Sequence, residues 1–402
     1  MNYNIFMSNI IDYLKKYKDM TLNKKPFNEM DALIFSRLSY IDYDNFVSKR
    51  KYGNIRYLDV INLILLEESN LTRFRLKEDK ELIDLLRSSL RFKDIYVRNY
   101  VDLFSKDESK QFSAITFFNK DKKNKFLLVT FRGTDGTLTG WREDFNLAYL
   151  DIIPSQREAY KYLNKALNLT RFKKVYVVGH SKGGNLAIYA ASNLNKNKIK
   201  LIDKIYAFDS PGFNDYFYNN SNFDLVKNKI YAYLPKSSII GRLLNVNYQY
   251  KIVSSYELLL NQHNIYNWKV NNDEFILLNS FSAVSNKIDE RIKNSLKGLK
   301  DEDKKQAIEE IFSTLETFSD EDKLETGNNL PNFFMKLKKE LRNSSEKTKN
   351  LISSIFFKKK IDEEKDIKIE NVEFEVLEEN EFNEIEEKKK VNKYLLENET
   401  DD

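Results

Sequence analysis

The chain has 402 residues, of which 41% are hydrophobic, and a net charge of +5; it contains no cysteine and only two histidines. The lack of cysteine excludes disulfide bonds, thiolate metal sites and a cysteine nucleophile, and two histidines argue against a zinc site, so we predict no cofactor. The 28 phenylalanines and 24 tyrosines can supply a sizeable core, which excludes a chain that is disordered throughout.

The first residues, "MNYNIFMSNIIDYLKKYKD", do not follow the pattern of a secretory signal, which has a basic start, an apolar stretch and a small-residue cleavage site. Nowhere in the sequence do eighteen apolar residues follow one another, which argues against a membrane-spanning helix. The sequence therefore predicts a cytoplasmic protein.

Residues 1 to about 100 have the pattern of helices, with apolar residues three and four apart in "YLDVINLILLEE" and "LIDLLRSSLRF". The pattern then changes to that of strands. "FSAITFF" (residues 112–118) and "KFLLVTF" (residues 125–131) are β-prone runs, and the polar turn "NKDKKN" between them predicts a hairpin.

Strands and helices alternate through the centre of the chain. "KKVYVVG" (residues 173–179) is a short apolar run typical of a buried parallel strand, and the helical pattern "GNLAIYAASNL" follows it. "KIYAFDSPG" and "KIYAYLP" have the pattern of two further strands. This alternation predicts an α/β fold with a largely parallel sheet. From about Phe275 the pattern of charged amphipathic helices returns.

Charge is unevenly distributed near the end of the sequence. Residues 331–360 include nine basic and two acidic residues among apolar ones, whereas residues 361–402 include 17 acidic and six basic residues. The first segment predicts a basic amphipathic helix that either packs on the domain or contacts an anionic membrane, which vesicle co-sedimentation distinguishes. The second predicts an acidic, disordered tail. No nucleic-acid-binding motif accompanies the basic residues, so no nucleic-acid partner is expected.

The stretch "VVGHSKGG" carries the strongest functional signal in the sequence. It satisfies the pattern G-x-S-x-G at Gly179, Ser181 and Gly183, between an apolar strand and an amphipathic helix. In an α/β-hydrolase the nucleophilic serine occupies such a strand-to-helix turn, where glycines prevent collisions between the strand and the helix. The spacing of a phosphate-binding P-loop is not met. We therefore interpret Ser181 as a nucleophile.

A serine nucleophile needs a general base, which is usually a histidine. His180 adjoins Ser181 and its side chain should diverge from the serine, so we interpret it as a packing or rim residue and His263 as the base. In an α/β-hydrolase the orienting acid comes between the serine and the histidine in sequence. Asp209, in "AFDSPGF" at the end of a predicted strand, is the best candidate, and Asp224 is the reserve.

A tetrahedral intermediate also needs two N–H donors to stabilise its oxyanion. One is expected from the backbone of Lys182, the residue after the nucleophile. The other is expected from Thr134, in the loop "TFRGTDG" after an earlier strand. The alternative for this loop is a simple turn at the exit of the hairpin.

These motifs together resemble a known family. "VTFRGTDG" with a later W and D, and then "VVGHSKGGNLA", resemble the class-three lipase branch of α/β-hydrolases, in which an "RGT" or "RGS" loop supplies an oxyanion residue and "GHSLGG" carries the nucleophile. Four further stretches, "DALIFSRLSYID", "FDSPGF", "LPKSSIIGRLL" and "QH" with a later W, are similar to a bacterial lipase-like family. The resemblance covers roughly residues 25–330. It implies ester hydrolysis, with Ser181 as nucleophile, His263 as base, and Thr134 and Lys182 at the oxyanion positions.

The sequence departs from class-three lipases at two points. Those lipases carry the acid in a later "ND-x-VP" segment, whereas the corresponding "YAYLPKSS" contains no acid, which leaves Asp209 as the candidate. Lys182 also replaces the leucine of "GHSLGG".

The resemblance predicts a lipase-like α/β-hydrolase domain over residues 1–330, with a helical N-terminal part (residues 1–100), followed by the basic segment and the acidic tail. We predict a serine hydrolase of carboxylic esters that acts on an ester or lipid through an acyl-enzyme on Ser181. The alternative is a non-catalytic binding or scaffold protein on a degenerate hydrolase fold, because a fold does not guarantee an activity.

Overall fold

The computed structural model describes residues 8–47, 54–67, 74–168, 172–296 and 299–316, together with a few positions after residue 316. Those later positions include two three-residue strands, Phe357–Lys359 and Phe374–Val376, which pair antiparallel. Most other positions of the predicted basic segment (331–360) and of the predicted acidic tail (361–402) lie outside the described residues, so both interpretations stay predictions.

The chain divides into two compact units, Met1–Asp289 with Ser319–Leu330 and Glu290–Phe318 with Pro331–Asp402. The first unit contains the main sheet and all the residues predicted for the site. The predicted domain boundary at residue 330 lies outside the described residues and stays a prediction.

Helices cover much of the described chain before and after the central strands. They are α1 (Ile10–Tyr17), α2 (Glu29–Leu38), α3 (Tyr57–Leu66), α4 (Lys77–Arg87), α5 (Leu138–Asn146), α6 (Pro154–Asn168), α7 (Lys182–Ser192), α8 (Lys196–Ile199), α9 (Asp215–Asn220), α10 (Phe223–Val226), α11 (Ala283–Leu296) and α12 (Asp301–Glu316). Asn9 and Asn28 begin α1 and α2 with side-chain caps, and each is matched by an aspartate three residues later, which satisfies the free N–H groups at the helix start.

The strands of the first unit are β1 (Ile55–Arg56), β2 (Ile95–Ser105), β3 (Lys110–Asn119), β4 (Phe126–Phe131), β5 (Val175–His180), β6 (Ile202–Phe208), β7 (Ile230–Pro235), β8 (Tyr250–Val253), β9 (Val270–Asn271), β10 (Glu274–Phe275) and β11 (Leu277–Leu278). Nine of them form one sheet in the order β1-β2-β3-β4-β5-β6-β7-β8-β11. The predicted hairpin is confirmed, because β3 and β4 pair antiparallel.

The sheet is mixed rather than largely parallel, which corrects our prediction. Neighbouring strands from β4 to β8 pair parallel. The pairs β1–β2, β2–β3, β3–β4 and β8–β11 are antiparallel. The βα alternation in the sequence identifies only the central strands, because antiparallel strands joined by short turns extend the sheet without intervening helices.

The helical N-terminal part is confirmed for α1 to α4, but it ends earlier than predicted. The short strand β1 interrupts it, and β2 begins at Ile95. The run "IYVRNYVDLFS" was missed because its polar and charged residues weaken the strand pattern, and β2 is held by its long pairing with β3.

Alternate residues of the central strands pack on two layers of helices. In β5, Val175 and Val177 pack with residues of α6 and α7, while Tyr176 and Val178 pack with residues of α1 to α4. The N-terminal helices are therefore one of the two layers that bury the sheet, and side chains at the end of β5 can point to either layer. No helix in the described part of the chain is long and apolar enough to cross a membrane.

Candidate active site

Ser181 lies in the tight turn between β5, which ends at His180, and α7, which begins at Lys182. Its backbone has φ 58° and ψ −135°, a combination that costs energy in a residue with a side chain. Backbone hydrogen bonds hold the turn. Ser181 N–H donates to the carbonyl of Phe208, the last residue of β6, at 2.9 Å, and Ser181 C=O accepts from Gly184 N–H at 2.9 Å. The geometry is that expected for a nucleophile elbow.

The glycines of the motif are required by close backbone contacts. A Cβ atom on Gly179 would lie 2.1 Å from the carbonyl carbon of Gly183. A Cβ atom on Gly183 would lie 2.2 Å from the carbonyl oxygen of Phe131, the last residue of β4. Only glycine therefore allows β4, β5 and α7 to approach one another at this point.

Asp209 and His263 lie in contact, although they are 54 residues apart. His263 Nδ1 is 2.7 Å from Asp209 Oδ2. The Asp209 carboxylate is buried, and its other oxygen accepts hydrogen bonds from the Ser238 hydroxyl and from Gly241 N–H at 3.1 Å. The segment "LPKSSIIGRLL" contains no acid, but it supplies these two donors to the acid on the neighbouring strand end.

The reserve candidate, Asp224, is not brought to the site. Its side chain is 85% exposed and pairs with Lys227 at 2.7 Å on the short helix α10. Asp209 is therefore the acid that the fold places beside His263.

The turn that carries His263 is anchored by its neighbours. Gln262 Oε1 accepts from Ser237 N–H at 2.8 Å, and Trp268 Nε1 donates to the Gln262 carbonyl at 2.7 Å. Both anchors are buried. These contacts give the "QH" and later "W" of the sequence a structural role in positioning His263.

His180 is buried between Tyr40 and the backbone of His263, so it is a packing residue but not a rim residue. Its Nε2 is 2.9 Å from the His263 carbonyl, which can only accept, so Nε2 carries the proton and Nδ1 accepts from the Tyr40 hydroxyl at 3.0 Å. The two imidazole rings lie 4.4 Å apart. Burial, with nearby His263 and Arg37, lowers the pKa of His180 well below its usual value, so the ring stays neutral.

Tyr40 and the orientation of His180 were missed by sequence reasoning. The orientation of His180 could have been found from the alternation of side chains along β5. Tyr176, Val178 and His180 share one face of this strand, and Tyr176 and Val178 pack with the N-terminal helices.

Ser181 and His263 are not hydrogen-bonded to each other among the described residues, and Ser181 Oγ has no side-chain hydrogen-bond partner there. Nδ1 of His263 is occupied by Asp209, which leaves Nε2 as the nitrogen that can take a proton. Catalytic hydrogen bonds of serine hydrolases are often long without substrate, so this geometry is compatible with a triad.

The loop after β4 runs directly beside the nucleophile. A Cβ atom on Gly133 would lie 3.0 Å from Ser181 Cβ, 2.6 Å from the His180 carbonyl oxygen and 2.2 Å from the Tyr40 hydroxyl. Thr134 follows, and its hydroxyl donates to the Asp144 carboxylate of α5. The loop that carries Thr134 therefore passes beside Ser181 at Gly133, and the oxyanion role of Thr134 stays a prediction.

Replacing Gly133 with alanine should lower both stability and any activity of the site, because the new Cβ collides with backbone and with Tyr40. Collisions of this kind cost about 1–3 kcal/mol. Tyr40→Phe removes the hydroxyl that the new Cβ meets, but not the backbone collision, and it also removes the donor to His180 Nδ1. The loss of Tm caused by Gly133→Ala should therefore be smaller when it is measured in a Tyr40→Phe background. A Gly133→Ala melting curve equal to that of the wild type would show that the loop does not approach the turn this closely.

The Lys182 side chain turns away from solvent, beneath the nucleophile turn. Its Nζ is 2.8 Å from Glu143 Oε2, 3.1 Å from the Gln111 carbonyl and 3.6 Å from Asp144 Oδ1. Its backbone N–H opens α7, where the first N–H groups have no acceptor within the helix. The sequence predicted only this backbone role and gave none to Glu143, whose partner lies 39 residues away.

The Asp144 carboxyl group is partly buried beside the site. Burial raises the pKa of Asp144 to about 6, although Lys182 and the Thr134 hydrogen bond oppose the rise. In the described residues no cluster of three or more histidine, aspartate or glutamate side chains could hold a metal ion.

Two solved lipase structures have a limited likeness to this chain. M37 lipase is 17% identical, with a TM-score of 0.36 over 55% of this chain and 70% of that chain. The native propeptide complex of Rhizomucor miehei lipase is 16% identical, with a TM-score of 0.33 over 50% of this chain and 66% of that chain. These scores are too low to carry an argument.

Among curated proteins, none is significantly similar in sequence. Residues 86–313, more than half of the chain, match the family described as Mbeg1-like. These residues include β2 to β11, the nucleophile turn and both members of the Asp209–His263 pair. The chain therefore belongs to the Mbeg1-like family.

Proposed function

We propose that this protein is a serine hydrolase of carboxylic esters, similar to lipases and esterases. The observation that carries the proposal is the hydrogen-bonded Asp209–His263 pair, whose aspartate is buried and follows β6 at the same sheet edge as the strained Ser181 turn. His180 supports the connection, because it adjoins Ser181 and contacts both the ring and the carbonyl of His263.

Each group has a role in the proposed reaction. Ser181 Oγ attacks the acyl carbon of the ester while its proton passes to His263 Nε2, and Asp209 stabilises the imidazolium through Nδ1–H. The N–H groups of Thr134 and Lys182 stabilise the oxyanion. The imidazolium then gives its proton to the leaving alkoxide, which departs as an alcohol. Water hydrolyses the acyl-enzyme by the same route and releases the acid.

The test is covalent labelling with a fluorophosphonate, which reacts with an activated serine hydroxyl. We expect the full chain to be labelled at Ser181, identified by peptide mass, and heat-denatured protein to remain unlabelled. Short-chain p-nitrophenyl esters serve as substrates in the parallel turnover assay. A folded chain that neither labels nor hydrolyses these esters would favour the alternative, a binding or scaffold protein on a hydrolase fold.

We further propose that the protein contacts an anionic membrane, in which a lipid substrate would be located. This contact is supported by the sequence of residues 331–360, in which nine basic residues alternate with apolar ones. It is independent of the hydrolase mechanism, which needs only an ester.

A further inference from the structure

Lys182 places a cation in the protein interior, directly behind the proposed oxyanion site. Its side chain is 1% exposed and that of Glu143 is not exposed. Burial alone would lower the pKa of Lys182, but Glu143 and Asp144 outweigh it and raise that pKa above its ordinary value. The side chain therefore carries a fixed positive charge between α5, β3 and α7.

Glu143 is the nearest carboxylate to this charge and forms a direct ion pair with it. Its carboxylate accepts hydrogen bonds from Lys182 Nζ, from Gln111 N–H at 3.1 Å, and from Ser155 N–H and hydroxyl at 2.8 and 2.7 Å. A buried ion pair with this many donors is a self-contained structural unit, and such pairs are often replaceable by apolar residues without loss of the fold.

Asp144 makes a second contact with Lys182, which the ion pair between Lys182 and Glu143 does not require. Its Oδ2 accepts from the Thr134 hydroxyl, while its buried Oδ1 has no hydrogen-bond partner among the residues that the structure describes and lies 3.6 Å from Lys182 Nζ. At that distance the interaction is one of charge. The groups whose charges act on Asp144 are Lys182, Glu143 and His263.

We propose that the Lys182 side chain is a positioning residue, which holds Asp144 as a carboxylate acceptor and so fixes Thr134 beside the nucleophile. The proposal rests on the hydrolase function proposed above and assigns to this side chain a role separate from that of its backbone N–H. A leucine at this position would keep the backbone donor but remove the ammonium group that lies 3.6 Å from Asp144.

The test compares Glu143→Gln with Glu143→Gln/Lys182→Met in the full chain. Neither variant leaves a charged Glu143 without its partner, and the two differ only at residue 182, where the ammonium group is present in one and absent from the other. Adding Lys182→Met should lower kcat/KM about tenfold or more, because small displacements of a catalytic donor have effects of this size. It should also move the acid-side midpoint of the kcat/KM profile to higher pH, because Asp144 is then protonated more readily.

The same comparison in an Asp144→Asn background isolates the proposed route. There the effect of Lys182→Met on kcat/KM and on the pH profile should disappear, whereas a merely structural effect would persist. An unchanged profile in the first comparison, or an equal effect in both backgrounds, would overturn the proposal.

A second readout does not depend on turnover. Because the pKa of Asp144 is raised by folding, its contribution to stability is present below about pH 4 and is lost as pH rises through 6. We therefore expect a pH-dependent difference in Tm between Glu143→Gln and its Asp144→Asn derivative, and between Glu143→Gln/Lys182→Met and its Asp144→Asn derivative, over this range. Replacing Lys182 should extend the pH dependence of this Tm difference to higher pH. The same pH dependence with and without Lys182 would overturn the proposed interaction between Lys182 and Asp144, even in a chain that hydrolyses no ester.

Discussion

Replacing Ser181 with alanine should lower the turnover of short-chain p-nitrophenyl esters by about three to six orders of magnitude, because the nucleophile of a triad acts as a unit with its base and acid. The side chain is small, and its hydroxyl makes no hydrogen bond within the described residues, so its removal leaves no buried partner unsatisfied. The backbone strain at φ 58° is the same for alanine as for serine. The fold and the Tm should therefore be retained.

Ser192 offers a matched control, since it is the buried last residue of α7, the helix that follows Ser181, and its hydroxyl also has no hydrogen-bond partner in the described structure. Ser192→Ala should keep wild-type turnover and fluorophosphonate labelling. Turnover of Ser181→Ala close to the wild-type rate would end the triad hypothesis.

Replacing Asp209 with asparagine should lower kcat by about four orders of magnitude with little change in KM. The amide is close in shape to the carboxylate, but its NH2 group can donate to His263 Nδ1 and hold the ring in the tautomer that cannot accept the Ser181 proton at Nε2. The buried donors Ser238 and Gly241 still find an acceptor in the amide oxygen, so the loss should appear in catalysis more than in Tm.

Asp224→Asn is the control for this variant, because it removes the same charge from an exposed carboxylate that pairs only with Lys227 in the described structure. Steady-state kinetics of the two proteins decide between the carboxylates. A steep fall in kcat for Asp224→Asn with a normal rate for Asp209→Asn would reverse the assignment.

Local pattern was sufficient to predict the elements around Ser181. The apolar run of β5, the glycine spacing and the amphipathic α7 are all close in sequence, and their geometry follows from the contacts that those glycines permit. The order serine, acid, histidine then limited the other two members to a few residues.

Contacts between distant residues could not be predicted in the same way. The Lys182–Glu143 pair and the Tyr40–His180 hydrogen bond join residues 39 and 140 positions apart, and neither shows in a periodic pattern. The antiparallel side of the sheet was underestimated for a related reason, because the pairing of β2 with β3 rather than its own composition makes it a strand.

The segment that carries His263 is hydrogen-bonded to the first residues that the structure describes. Val270 N–H donates to the Ser8 carbonyl at 2.9 Å, and Asn9 Nδ2 donates to the Tyr266 carbonyl at 2.9 Å. These bonds close a loop of more than 250 residues, and contacts of such high order are entropically costly and slow to form. The serine turn is local and needs no such closure. Recovery of the proposed esterase activity during refolding should therefore follow the pairing of these two distant segments and should not precede it.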